Sequence, residues 1–214
     1  MRTVNTTHGV WHLFELHHIP CVTEFVSTCL SLSLPLHVLT SHAYSLLLLS
    51  CRFTPPHHTR RYTTAPASIH YYTVEWPAAD LSWSDFRGKV LGATDPNEAE
   101  AGSARRSILE QWESLGLPGK PNTGDNGVHA SASPFEALAE RVNWLGQDLE
   151  RDVYGRGLLG AGVTAATLGA WSQDPAVVYG GKAQSIFDLL EDLDADACLE
   201  KAADISATQK AAAL

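Results

Sequence analysis

The chain has 214 residues, 44% of them apolar, which suits one domain plus tails and supplies a real core. Its net charge of −9 is unevenly spread: residues 1–74 carry +2, while the remainder sets 22 acids against 11 Lys and Arg. An acidic body without a Lys/Arg cluster excludes a nucleic-acid platform, which needs a basic footprint, yet leaves room for a small phosphorylated ligand.

Residues 1–68 are rich in Ser, Thr, His and Leu, poor in acids, and free of lysine. The apolar stretch from Cys29 to Cys51 is interrupted by Pro35, His37, Ser41 and His42, so a membrane span is not expected. An acid-poor, Ser-rich leader containing arginine is typical of an organelle transit peptide, and Arg60-Arg61-Tyr62-Thr63-Thr64 resembles a mitochondrial cleavage site. Other readings are translated non-coding text and a membrane anchor. The expected location is the mitochondrial matrix if the leader is real, and the cytoplasm otherwise. Cys21, Cys29, Cys51 and Cys198 include no CxxC pair, so neither a zinc site nor a redox motif is indicated.

Ile69–Trp76 is β-branched and aromatic and reads as a strand ended by Pro77. Ser82–Leu91 reads as a short helix turning Trp83, Phe86, Val90 and Leu91 inward. Asp95-Pro96-Asn97-Glu98 carries helix-start signals: an Asp cap, a first-turn proline and a capping-box glutamate. A further helix begins at Ser103, with Ile108, Leu109, Trp112 and Leu115 on one face and Gly116 as its stop.

Residues 117–126 read as loop, dictated by Pro118, Gly119, Pro121 and Gly124. Ser133-Pro134-Phe135-Glu136 is a second capping box, opening a helix to about Leu145. Two or three more helices follow, the clearest from Ser185 to Leu193. The expectation is an α+β domain over 69–149 with a helical C-terminal extension over 150–214.

Nine of the ten histidines lie within the first seventy residues, leaving His129 alone in the body. An unperturbed imidazole is largely neutral at neutral pH, so a ring nitrogen is able to attack a phosphoryl group once its other nitrogen is held by a partner. Glu140, eleven residues on and two turns into the next helix, is the candidate partner. Arg105 offers a planar fork for dispersed phosphate charge, Thr94 a hydroxyl, and Asn126 a contact to the sugar or bridging oxygens. Each residue also has a plain structural reading. Thr94 and Asp95 cap a turn, Arg105 is a solvated charge, Asn126 is a turn residue, and Glu140 pairs with Arg141 or Arg105 at the surface.

Taken together, the two loops resemble the nucleoside diphosphate kinase family over about residues 71–149. Gly92, Thr94, Pro96, Ala99, Gly102, Ser103 and Arg105 occupy every fixed place of its Thr/Arg loop. Asn126, His129, Ser131, Ser133, Glu140 and Trp144 match its active-site stretch. Ala130 and Ala132 stand where the family has glycine and aspartate, and no lysine precedes Lys89 to match the phosphate-binding lysine of the family's N-terminal half. The resemblance implies a partial or divergent ferredoxin-like α+β fold. It implies ping-pong transfer of the γ-phosphate from NTP, with ATP as donor, to NDP through a phosphohistidine at His129. Glu140 and Ser131 would steady the ring, while Thr94, Arg105 and Asn126 would bind nucleoside di- and triphosphates. Magnesium would arrive on the nucleotide, with no protein-held metal, and the protein would form a homo-oligomer. The alternative is a catalytically inactive descendant that binds nucleotide or a partner protein.

Overall fold

The computed structural model describes residues 71–212 and, within the N-terminal segment, the backbone of three strands. In chain order the strands and helices are β1 (Val4–Thr6), β2 (Gly9–Trp11), β3 (His42–Leu48), β4 (Tyr71–Pro77), α1 (Trp83–Asp85), α2 (Ala104–Gln111), β5 (His129–Ala130) and α3 (Pro134–Leu145). They continue as α4 (Val153–Gly160), α5 (Ala165–Trp171), β6 (Ala176–Tyr179), β7 (Lys182–Ser185), α6 (Ile186–Leu190) and α7 (Ala195–Ala212). The chain is therefore α+β. Apart from the three strand backbones, the leader expected over 1–68 and its cleavage site near Thr63 lie outside the described residues. No helix among the described residues is long and apolar enough to cross a membrane.

Among the described residues three sheets form: β1 with β2, β4-β3-β5 in that order, and β6 with β7. Strand β5 is antiparallel to β3, with Leu48 opposite His129 and Leu47 opposite Ala130. The chain divides into two compact units. The first comprises Met1–Thr40, Leu47–Thr73 and Asp85–Ala130, and the second Ser41–Leu46, Val74–Ser84 and Ser131–Leu214.

In the first unit, Phe86, Leu91, Ala99, Ile108, Leu109, Val128 and Ala130 are buried. The helix expected over Ser82–Leu91 is realised as the single turn α1 followed by a π-helical stretch, Phe86–Leu91. The wider π turn, closed by i→i+5 bonds, rotates each residue about the axis by less than an α-helix does and brings residues five apart onto one face. Phe86 and Leu91 consequently face the core while Val90, expected inward, is 37% exposed. The helix expected to start at Asp95 does not form; residues 96–98 make a single turn closed by the Glu98 amide on the Asp95 carbonyl at 3.1 Å. The Asp95 carboxylate accepts the backbone and side-chain amides of Asn97 at 2.9 and 2.8 Å, a local closure that competes with helix growth. Helix α2 begins where its cap is placed: Ser103 is extended and accepts the Arg106 amide.

In the second unit, α3 runs as expected between the Ser133 cap and a left-handed Gly146. Its Phe135 and Leu138 enter one core with Tyr154, Leu158, Trp171, Ile186, Leu190, Cys198, Ala202 and Ile205. The helix expected over Ser185–Leu193 is shorter, Ile186–Leu190, with Ser185 as its cap. It is preceded by the unanticipated β6–β7 hairpin, which turns at Gly180-Gly181. The Trp83 ring nitrogen donates to the Ser131 carbonyl at 3.0 Å and its backbone amide to Asp194 at 2.7 Å, fastening the 74–84 segment to the helices.

Inside this helical core lies an ion pair. Arg141 and Asp152 are 3% and 4% exposed, and their contacts measure 2.8 and 3.0 Å. Asp152 also caps α4 by accepting the amides of Tyr154 and Gly155.

Candidate functional site

The first unit holds four of the residues singled out from sequence: Thr94, Arg105, Asn126 and His129. Two loops about thirty residues apart in the chain carry them, and each is fixed by local chemistry. Gly92 opens the Thr/Arg loop with φ 97, a conformation that side-chain-bearing residues avoid. A Cβ at Gly92 would lie 2.5 Å from Ser103 Oγ and 2.9 Å from Ala99 Cβ, so the loop closes tightly on the start of α2. The hydrogen bonds from Asn97 draw the Asp95 carboxyl below its ordinary range and hold the turn at Pro96.

Side chains join the two loops directly. The Asn126 amide donates to the Thr94 carbonyl at 3.0 Å. Arg105 Nη1 donates to the Gly92 carbonyl at 2.8 Å, while Nη2 and Nε reach the Val128 carbonyl at 3.2 and 3.4 Å. The guanidinium therefore bridges the first residue of one motif to the residue before His129 in the other. His129 is half-buried, with its backbone in β5. Thr94, Arg105 and Asn126 are also half-buried.

Ser131 and Glu140 belong to the second unit. Ser131 is fully buried, and its hydroxyl donates to Glu140 Oε2 at 2.5 Å. A hydrogen bond to an ionised oxygen is short and strong, so this pair fixes the carboxylate against α3's first turns. Beside it, Glu136 Oε2 accepts the Ala132 amide while its own amide is received by Ser133 Oγ, a capping box shifted by one residue from its usual form. Glu140 receives the Ser131 hydroxyl, and Arg141 turns inward to Asp152.

The grip of Arg105 on carbonyls has no signal in the sequence. Its acceptors, on Gly92 and Val128, are backbone atoms, and no side-chain identity announces them. No family model matches the chain, and no curated protein or solved structure matches it.

Proposed function

We propose that the chain is a divergent nucleoside diphosphate kinase-like phosphotransferase with a ferredoxin-like α+β ancestry. The observation that carries this reading is the strapping of two separately encoded motifs. Asn126 holds Thr94, and Arg105 holds Gly92 and Val128, so the Thr/Arg loop lies alongside the loop that ends in His129.

In this reading a ring nitrogen of His129 attacks the γ-phosphorus of ATP. The new N–P bond forms as the P–O bond to ADP breaks, and the phosphoryl group then passes to a second nucleoside diphosphate. Thr94, Arg105 and Asn126 contact the nucleotide, and the Ser131–Glu140 pair steadies the histidine segment. Magnesium enters as part of the nucleotide substrate, bridging its phosphates. Members of such a family assemble as homo-oligomers, and the same is proposed here.

Incubation with γ-labelled ATP tests the reaction. Acid-labile, base-stable label on the wild-type protein and none on His129→Ala supports it. Equal labelling of the two proteins, or none on either, removes it.

One observation favours a second reading, a nucleotide-binding descendant without catalysis. Arg105 commits three hydrogen bonds to backbone carbonyls, which draws its donors away from a transferring phosphate. Retained ADP binding without phosphohistidine identifies that case.

A further inference from the structure

Of the five asparagines in the chain, only Asn126 precedes a glycine. The fold requires that glycine. Gly127 sits at φ 83, where a side-chain-bearing residue is strained, and a Cβ there would press on Ile108 Cδ1 and Cγ2 at 3.2 Å. A residue without a Cβ leaves its backbone nitrogen unshielded beside the side-chain amide that precedes it. We propose that Asn126 is a self-deamidation site whose conversion unfastens the two functional loops.

The chemistry needs only water. The Gly127 backbone nitrogen attacks Asn126 Cγ and loses its proton, a C–N bond closes a five-membered imide, and the side-chain nitrogen departs as ammonia. Water then opens the ring at either carbonyl, giving aspartate or isoaspartate at position 126. What opposes the reaction is the hydrogen bond from the Asn126 amide to the Thr94 carbonyl at 3.0 Å. One neutral hydrogen bond restrains the amide by no more than about tenfold.

Asn122, in the same loop, is protected differently. Its side-chain oxygen accepts the amides of Gly124 and Asp125 at 2.9 and 3.1 Å, and the β-branched Thr123 follows it.

The product at position 126 is incompatible with the strap. A carboxylate has no hydrogen to give the Thr94 carbonyl, and its charge faces an acceptor oxygen. Isoaspartate in addition lengthens the backbone three residues before His129. A new anion beside Thr94 also opposes a phosphate ligand, a consequence that rests on the phosphotransfer reading; the chemistry and the loosened strap do not.

The full chain, incubated at mildly alkaline pH and sampled by peptide mass spectrometry, gives the direct test. Aspartyl and isoaspartyl forms are expected to accumulate at Asn126 while Asn122 keeps its amide. An intact Asn126, over an interval in which urea-unfolded protein has converted fully, overturns the proposal, as does equal conversion at Asn122. Hydrogen exchange on Asn126→Asp gives a second readout, with lost protection expected across residues 92–95. Unchanged protection there overturns the link to Thr94. Neither measurement depends on phosphohistidine, so a failed kinase assay leaves both intact.

Discussion

The guanidinium of Arg105 grips the carbonyl of Val128, the residue immediately before His129, with Nη2 at 3.2 Å and Nε at 3.4 Å. One cation thus sets the path of the chain into the histidine while holding Gly92 with its remaining arm. A lysine ammonium is a single point on a flexible stem and cannot span both carbonyls. If the proposed phosphotransfer holds, Arg105→Lys is therefore expected to slow His129 labelling about a hundredfold, in the range for loss of one positioned charge contact. Arg105→Ala should in addition lower stability by about 1–3 kcal/mol, the usual worth of a hydrogen bond made by a charged group. Initial labelling rates and urea midpoints read the two effects separately. Wild-type labelling by Arg105→Lys removes the bridging role.

Ser131 and Glu140 form the second test. The hydroxyl is fully buried and the contact is 2.5 Å, so truncating either side removes a strong hydrogen bond. Ser131→Ala and Glu140→Ala are each expected to cost about 1–3 kcal/mol in urea unfolding, because each removes a partly buried hydrogen bond to a charged group. The double variant should cost clearly less than the two single costs added, since each removes the same bond. Strict additivity in that cycle argues that the pair is not coupled.

The buried ion pair gives the largest expected effect. Asp152 answers Arg141 and at the same time caps α4 through Tyr154 and Gly155. Removing one member of a buried pair leaves an uncompensated charge and typically costs about 3–5 kcal/mol. Asp152→Ala loses pair and cap together, whereas Asp152→Asn keeps an acceptor for the α4 amides. The asparagine variant is therefore expected to be the more stable of the two, still well below wild type, by urea midpoint. Equal stability of the two variants means that the cap contributes nothing.

How much of this was visible in the chain depends on where each signal resides. Helix α3 was legible at both ends because its cap, Ser133, and its stop, Gly146, are side-chain properties. The Asp95 turn misled for the same reason: a cap residue signals a turn as readily as a helix, and here the hydrogen bonds with Asn97 closed locally. Helical spacing does not separate an α from a π turn over Phe86–Leu91, which is why it points Val90 inward although the side chain is exposed. The β6–β7 hairpin had its signal in Val177, Val178 and Gly180-Gly181, but β7 offers only Lys182, Ala183, Gln184 and Ser185, none a strong strand former. Candidate residues were found by type and spacing. Their acceptors on backbone carbonyls, and the inward turn of Arg141, depend on tertiary packing that no local pattern encodes.

Gly92 offers a test of the loop alone. At φ 97 an alanine is strained, and its Cβ would press on Ser103 Oγ and Ala99 Cβ. Gly92→Ala is expected to destabilise by about 1–3 kcal/mol. Gly119→Ala is the matched control, since nothing lies within 4 Å of a Cβ there. Equal urea midpoints for the two variants remove the claim that this loop is held closed.

The pH dependence follows from the interior of the helical core. Burial raises the Cys198 thiol from 9.0 to about 11, with the Tyr154 hydroxyl and the Phe135 backbone pulling weakly the other way. Burial likewise lifts the Tyr154 hydroxyl well above its ordinary value. Both groups are neutral when protonated, so the folded chain holds these protons more tightly than the unfolded one. Their stabilisation is whole below pH 9 and drains away as pH climbs through about 11, because the unfolded chain ionises first. For Cys198 alone the loss is on the order of 2–3 kcal/mol. Urea midpoints by far-UV circular dichroism should accordingly fall steeply above pH 9 in the wild type and less steeply in Cys198→Ala. The same burial keeps the thiol from alkylating reagents at neutral pH, because the thiolate is the reactive form. Peptide mapping after iodoacetamide treatment should find Cys198 unmodified until urea opens the core. Ready alkylation in the native protein, or an undiminished alkaline slope in the alanine variant, shows that position 198 is not sealed from water.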